Sequence, residues 1–431
     1  MFLRFSGFKG HAISAAVSSL LFLAASPLHA QSVGLLSLDD ALGIAIDHAP
    51  ALNAAAAGTQ AARDMAVSAG QLPDPVLRLV ADDLPVNGPD SSGSLVSSTR
   101  RIGLMQEYVS TDKRSLFRRR AELDVARQEA MRLSLISNLR RDVATAWFDR
   151  YYALQSRALL NVMDGEIQLQ VQTLDSQLRA GKASAAESPM ATAMLLQNHD
   201  RLLVADKQAR LAQIVLSRWL GKEAERELGR APNIDVLALN LTNPEVVASS
   251  PPVAAHASER EVAQAELAIA QSNKRPNWTW ELGYSRGGNS DTSMVTLGVN
   301  IPLVLNASSK QDRDIAAKKA QMEQADALHE DLLRDTQMNF GSSYAEWQSL
   351  VERRKSLAEA LLPVVRQRIE LSTAAYRAGQ GTLASVLEAR RADVEAQLQL
   401  LDLARETARL WAQLTYVYGE SAMSHAQGVH Q

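Results

Sequence analysis

Asn277-Trp278-Thr279-Trp280-Glu281-Leu282-Gly283-Tyr284-Ser285 decides the architecture, because its apolar and polar residues alternate without a break. An extended chain turns successive side chains to opposite faces. Trp278, Trp280, Leu282 and Tyr284 therefore share one face, and Thr279, Glu281, Gly283 and Ser285 share the other. Beyond a Gly-Gly-Asn-Ser loop the alternation resumes, with Val295, Leu297, Val299 and Ile301 on one side against Thr296, Gly298 and Asn300. An aromatic and aliphatic face backed by a small or polar one is the signature of a barrel hairpin that faces lipid outside and water inside. A four-stranded sheet capping a soluble coiled coil would alternate in the same way, but it gives no reason for the aromatic face.

A rougher hairpin lies upstream. Pro75 to Asp83 and Arg101 to Val109 flank a Gly/Ser/Pro-rich loop; Ile102, Leu104 and Tyr108 share a face that Gln106 interrupts. These runs approach the roughly 9 to 11 residues of a tilted membrane strand. Four strands cannot close a barrel, and an open edge is prohibitive in hydrocarbon. Several copies must contribute strands, most simply by cyclic symmetry.

The two hairpins belong to an internal repeat in which helix, proline, strand, loop, strand, very long helix, glycine turn and helix occur twice in the same order. Leu178-Arg179-Ala180-Gly181 matches Tyr376-Arg377-Ala378-Gly379, and the following helices end in Trp219-Leu220-Gly221 and Val417-Tyr418-Gly419. Tyr151 and Gln155-Ser156 match Tyr344 and Gln348-Ser349, with five residues inserted in the second copy before the turn. The long helices are expected from about Ser115 to Arg179 and from about Lys310 to Arg377, roughly 100 Å each at 1.5 Å per residue. That length suits a hollow helical tube, and Gly165 and Pro363 are expected to mark bends. Ala396, Leu400, Leu403, Thr407, Leu410, Leu414 and Val417 step by four and three as a coiled-coil seam. Leu195, Leu202, Ala209 and Leu216 recur at sevens in the first copy, with Ala205, Ala212 and Trp219 between them.

Residues 1–30 have the charged, apolar and small-residue order of a secretory signal peptide, with cleavage expected after Ala30. The chain divides into that peptide, a first repeat (31–221), an irregular proline-bearing connector (222–254), a second repeat (255–420) and a tail (421–431). It contains no cysteine, which removes disulfides and the lipid-modified cysteine of a lipoprotein. A net charge of −3, with both signs mixed along the chain, gives no nucleic-acid footprint. Catalytic triads, phosphate loops and nucleotide fingerprints are missing, and Gly287-Gly288 is a hairpin loop, so an enzyme is not expected. His48, His199, His256 and His329 stand singly in the sequence; Met190 and Met194, four apart on one helix face, could touch a soft cation such as Cu(I) but are spaced as seam packing usually is, so neither a metal site nor a cofactor is expected.

This layout, with Leu38-Asp39-Asp40-Ala41-Leu42 near the start and the two Ala-Gly turns, resembles the TolC-like outer-membrane efflux family over roughly Ser37 to Gly419. The resemblance implies a mainly α fold with a small β part. Each protomer of a homotrimer gives four strands to a 12-stranded barrel in the outer membrane, which a periplasmic α-helical barrel of coiled-coil hairpins continues. It also implies a periplasmic adaptor and an inner-membrane resistance-nodulation-division pump as partners. Gln71-Leu72-Pro73-Asp74-Pro75, Asp83-Leu84-Pro85-Val86 and Arg101-Ile102-Gly103-Leu104-Met105-Gln106-Glu107 look most like the heavy-metal branch. Drug or secreted-protein export is the rival within the family. A periplasmic coiled-coil adaptor is the rival outside it, but that would need one helical hairpin interrupting a β-module.

The turns lie farthest from the strands, so Arg179, Ala180, Gly181, Lys182, Arg377, Ala378 and Gly379 are expected to form the tip that meets the adaptor. In the family, acidic residues here line the narrowest part of the duct, and a tyrosine and an arginine tie it shut. By that likeness Glu187, Tyr376, Ser385 and Glu388 occupy gate positions. Ser385 stands where an acid is expected and Gly381 where the arginine is.

Overall fold

Four strands form one antiparallel sheet in chain order: β1 (Val76–Asp82), β2 (Thr99–Tyr108), β3 (Trp278–Arg286) and β4 (Ser293–Asn300). They come from a computed structural model that describes residues 34–82, 98–181, 184–237, 245–287 and 292–419. The expected signal peptide and its cleavage point, the Asp83–Val86 motif, Lys182 and the tail lie outside the described residues. The register aligns alternate residues into rows that cross all four strands. Leu79, Ile102, Tyr284 and Val295 make one row, and Leu77, Leu104, Leu282 and Leu297 the next. The strands lie within one or two residues of the expected bounds. Ile301 falls just past β4 because Pro302, with no N–H, ends the pairing.

Nine α-helices among the described residues carry the architecture. Ahead of the sheet, α1 (Leu38–His48) starts in a capping box in which Ser37 and Asp40 bond reciprocally, and α2 (Pro50–Ser68) leads to β1. After β2, α3 runs unbroken from Thr111 to Arg179 over 69 residues, and α4 (Glu187–Leu220) returns beside it. In the second copy, a short α5 (Glu245–Ala248) and α6 (Pro251–Ser272) precede β3. Then α7 (Gln311–Ser356) passes through a π turn (Leu357–Leu361) into α8 (Leu362–Arg377), and α9 (Leu383–Gln413) returns, ending in a second π turn (Leu414–Tyr418).

Two expectations are corrected. Gly165 does not interrupt its helix, which is continuous across it, whereas the break before Pro363 is real. Proline removes an amide and crowds the carbonyl one turn earlier, and a wider π turn relieves both. The expected connector is also shorter than 222–254, because Pro251 and Pro252 open α6; proline is tolerated in a first turn, where the amides have no helical partner anyway.

The main core sits halfway along the tube, where α1, the middle of α3, the end of α4 and α9 meet. Trp147, Phe148, Val143, Leu216, Ala408 and Ala412 are essentially inaccessible there. Three indoles anchor the segments that cross this belt: Trp147 donates to Leu36 O (3.2 Å), Trp347 to Ile234 O (3.0 Å) and Trp411 to Val236 O (3.0 Å). The seam expected in α9 is buried at Ala396, Leu403, Thr407, Leu414 and Val417. In α4 the same stripe includes a buried asparagine: Asn198 Nδ2 donates to Leu160 O (3.2 Å) and Asp164 Oδ1 (3.0 Å) on α3. A polar rung in an otherwise apolar seam fixes the register of the two helices.

Candidate functional site

The sheet has two unlike faces. On one, Leu77, Leu79, Ile102, Leu104, Trp278, Trp280, Leu282, Tyr284, Val295, Leu297 and Val299 are all exposed, Leu297 to 82%. The aromatic residues gather at its ends: Tyr108 and Trp278 touch (centroids 4.9 Å apart) next to the helices, and Tyr284 stands near the opposite end, bonded to Ser293 (2.7 Å). Aliphatic rows lie between them. The interruption expected at Gln106 is satisfied locally, since its amide donates to Pro73 O (2.8 Å) and Glu107 O (3.0 Å) just before β1 begins. Two of the segments that resemble the heavy-metal branch therefore touch each other as a structural closure of the sheet.

The other face mixes polar and small residues with a few apolar ones, Val76 and Met294 among them. Arg78 reaches Glu281 (3.6 Å) across Gly103, where a Cβ would stand only 3.2 Å from the Glu281 carboxylate. Arg101 pairs with Asp82 (3.3 Å). Where the sheet meets the helices, Lys113 donates to Asn277 Oδ1 (3.1 Å), and Asn277 donates in turn to Glu107 (2.8 Å), tying the two copies together. Burial holds Lys113 below the usual lysine range, against the pull of Glu107.

At the far end of the tube, Gly181 (φ 67°) and Gly379 (φ 73°) take the left-handed conformation that ends both long helices. The second turn is closed by Gln380 N donating to Ala375 O (2.9 Å). Arg179, Ala180, Arg377 and Ala378 are exposed there. The expected gate residues divide into three groups. Tyr376 packs on Leu174, Ala191, Leu383 and Leu387; burial, and then the Glu187 charge, raise its phenol above the ordinary range. Glu187, in the first turn of α4, thus lies beside Tyr376, and its Oε2 is buried without a hydrogen-bond partner among the described residues. Ser385 is instead part of a helix cap: Thr382 Oγ1 accepts from its amide (3.3 Å) and its hydroxyl donates to Thr382 O (2.7 Å). Glu388 is exposed; the guanidinium of Arg391 is held above its usual range first by its hydrogen bond and charge pairing with Glu395 and last by Glu388. At Gly381 a Cβ would fit tightly, 3.1 Å from both Ala375 Cβ and Tyr376 N, so its neighbours would have to give by a few tenths of an ångström.

One turn or more above the tip lies a layer that local sequence spacing does not reveal, because its partners are about 200 residues apart. Arg390 of α9 pairs with Glu166 of α3, and Glu395 accepts from Arg391 (2.9 Å) and, across the hairpins, from Arg201 (3.3 Å). Beside them, a cavity of about 330 Å³ is lined by Met163, Glu166, Gln170, Met194, Arg390 and Asp393. Met194 faces this cavity while Met190 is exposed, so the two methionines do not act together. His256 and His329, expected to stand singly, are brought near each other by α6 and α7. Burial, Arg260 and His256 lower the His329 imidazole, and His256 pairs with Glu259 (3.4 Å). Among the described residues no group of three or more His, Cys, Asp or Glu is placed to hold a metal ion.

Residues 244–420 match the family described as outer membrane efflux protein. The chain is 24% identical over 385 residues to the cobalt-zinc-cadmium resistance protein CzcC of Cupriavidus metallidurans, covering 88% of each. Its fold superposes on the outer membrane protein VceC of Vibrio cholerae with a TM-score of 0.71 (18% identity; 89% of this chain, 96% of that one). On CusC the TM-score is 0.69 (15% identity; 89% and 92%). The sheet with its exposed apolar face, the long paired hairpins and these likenesses agree: residues 244–420 match the outer membrane efflux protein family, and the chain is an outer-membrane efflux channel that extends into the periplasm, not an enzyme.

Proposed function

We propose that three copies close their sheets into one 12-stranded barrel, continued by the helical hairpins as a periplasmic duct, and that this duct is the exit of a tripartite pump for heavy-metal cations. The observation that carries the assembly is the sheet itself. Its apolar face is exposed, while β1 and β4 have no partner beyond β2 and β3 among the described strands. In hydrocarbon each unpaired backbone group would cost several kcal/mol, roughly, so both edges need neighbours. Trp278, Trp280, Leu282, Tyr284, Val295, Leu297, Val299 and Ile301 then face lipid. Detergent-solubilised protein is expected to scatter light as a trimer; a monodisperse monomer with full β content would overturn the reading.

The cargo reading rests on the likeness to a cobalt-zinc-cadmium resistance protein. Loss of the chain from its host is expected to lower tolerance of such cations before it lowers tolerance of drugs; the reverse order would favour the drug-export reading. An adaptor and a resistance-nodulation-division pump are its proposed partners, with the exposed Ala180 and Ala378 in the contact. Bulky substitutions there should abolish adaptor crosslinking and leave trimers intact.

For the gate, Glu187 beside Tyr376 is the element that holds the second turn to the first hairpin, and exposed Glu388 supplies a ring of three carboxylates that attracts cations. Changing Glu187 and Glu388 together to Gln should remove cation preference and block by divalent cations in single-channel recordings. Unchanged selectivity would place the constriction elsewhere.

A further inference from the structure

The helices that run to the tip follow one another as α4, α3, α9 and α8, with α4 and α8 at the two edges. A single chain therefore holds one junction between hairpins, where α3 meets α9. Three ion pairs cross it: Glu166 with Arg390, Asp149 with Arg409 (2.7 Å) and, from α4, Arg201 with Glu395 (3.3 Å). Met163 of α3 and Val394 of α9 are buried in the same cluster. The duplication supplies a second set of these positions. Gly181 and Gly379 are 198 residues apart, as are Gly221 and Gly419, and 193 separate Tyr151 from Tyr344. Counted from those landmarks, α3 corresponds to α7 and α8, and α4 to α9.

Exchanging the copies carries the junction to the surface. Glu166 and Arg390 become Val364 and Thr192, Arg201 and Glu395 become Gln399 and Gln197, and Asp149 and Arg409 become Ser342 and Leu211. All six replacements are exposed and none is charged. Met163 and Val394 become Leu361 and Leu196, which are 41% and 65% exposed where their counterparts are 6% and 7%. The two edges of the layer thus carry the two halves of a second junction, facing apart. In a three-fold ring the second hairpin of each copy adjoins the first hairpin of the next, a head-to-tail contact that closes after three steps. We propose that α8 and the end of α7 pack on α4 of a second copy of this chain, in the register that α3 and α9 keep within one. Val364 then meets Thr192 of the neighbouring copy, Leu361 meets Leu196, and Gln399 meets Gln197. This rests on the trimer reading. The tube acquires two kinds of seam in alternation, ion-paired within each copy and uncharged at the same places between copies.

Because the full-length chain has no cysteine, paired cysteines report these contacts directly. With a short bis-maleimide, Thr192→Cys with Val364→Cys should give covalently joined chains on denaturing gels, and so should Leu196→Cys with Leu361→Cys. Glu166→Cys with Arg390→Cys, in the junction inside the chain, should react without joining chains. Leu203→Cys with Val364→Cys is 11 residues out of register, about 16 Å along the helix, and should leave single chains. Equal joining by that pair, or no joining by the first two while light scattering still gives a trimer, overturns the seam alone. Monomers by light scattering overturn the trimer reading and the seam with it. Charge provides a second readout. Thr192→Arg should lower the temperature at which trimers separate, and adding Val364→Glu, which copies Arg390 and Glu166, should restore it. An undiminished single variant, or a double variant as weak as the single one, would overturn the register.

Discussion

Gly165 and Pro363 occupy the same place in the two copies, each 16 residues before its turn glycine, Gly181 or Gly379. Around Gly165 the helix is continuous; before Pro363 it opens into a π turn. One residue earlier, and across the hairpin on the returning helix, the contrast repeats. Asp164 and Asn198 form a buried polar rung in the first hairpin, and the matching positions in the second, Leu362 and Ala396, are buried and apolar. The first hairpin is therefore continuous and locked in register, and the second is interrupted and held by packing alone at that level. The five-residue insertion explains part of this, for 35 residues separate Tyr344 from Gly379 where 30 separate Tyr151 from Gly181. Four residues add about one helical turn and preserve the faces, and the fifth is absorbed by the π turn. Of the two hairpins, the second is the one whose long helix is interrupted at this level.

The harshest way to break the comparison is Gly165→Pro. It puts the second copy's residue into a helix with no wide turn to receive it, and thermal unfolding should show a loss of about 3 kcal/mol or more. Next comes Asn198→Ala, which leaves Asp164 buried with only Gln168 as a partner (2.7 Å); we expect a cost of about 1 to 3 kcal/mol. Adding Asp164→Leu should recover most of that, because the pair then copies Leu362 and Ala396. A double variant as unstable as the single one would show that the rung does not act as a pair.

A gentler change sharpens the same point. The site of a Cβ at Gly165 has nothing within 4 Å, so Gly165→Ala should raise stability by about 0.5 to 1 kcal/mol. The last test addresses the joint between the copies, where Glu266 of α6 accepts from Lys318 of α7 (2.8 Å) and Arg120 of α3 (3.1 Å). Those hydrogen bonds, Lys318 first, hold its carboxyl below the ordinary glutamate range. Its contribution is thus present at neutral pH and is lost as pH falls through that lowered pKa. Glu266→Gln should lower the melting temperature slightly at neutral pH and make it less sensitive to acid; an unchanged acid profile would remove Glu266 from the joint.

The alternation at Trp278–Tyr284 and the doubled glycine turns made the sheet and both hairpins legible, because period and turn chemistry are local signals. Gly165 misled because glycine permits a bend without requiring one, whereas Pro363 requires it. Among the gate positions, Glu187 and Tyr376 meet, but Ser385 is taken up by a cap that could have been anticipated from Thr382 three residues before it. Glu166 with Arg390, Arg201 with Glu395, and His256 near His329 were illegible for one reason. Each joins helices distant in sequence, and no spacing along the chain encodes which faces meet.

The unpaired edges of β1 and β4 also bear on how the protein is made. A single protomer exposes an apolar sheet that water rejects and backbone edges that hydrocarbon rejects, so it is at home in neither phase. In the assembly proposed above, its strands become fit for the bilayer only once neighbouring strands arrive, which makes association a condition of insertion. The yield of inserted channel should then rise more steeply than in proportion to the amount of chain exported, and sparse export should leave protomers waiting in the periplasm, exposed to proteases.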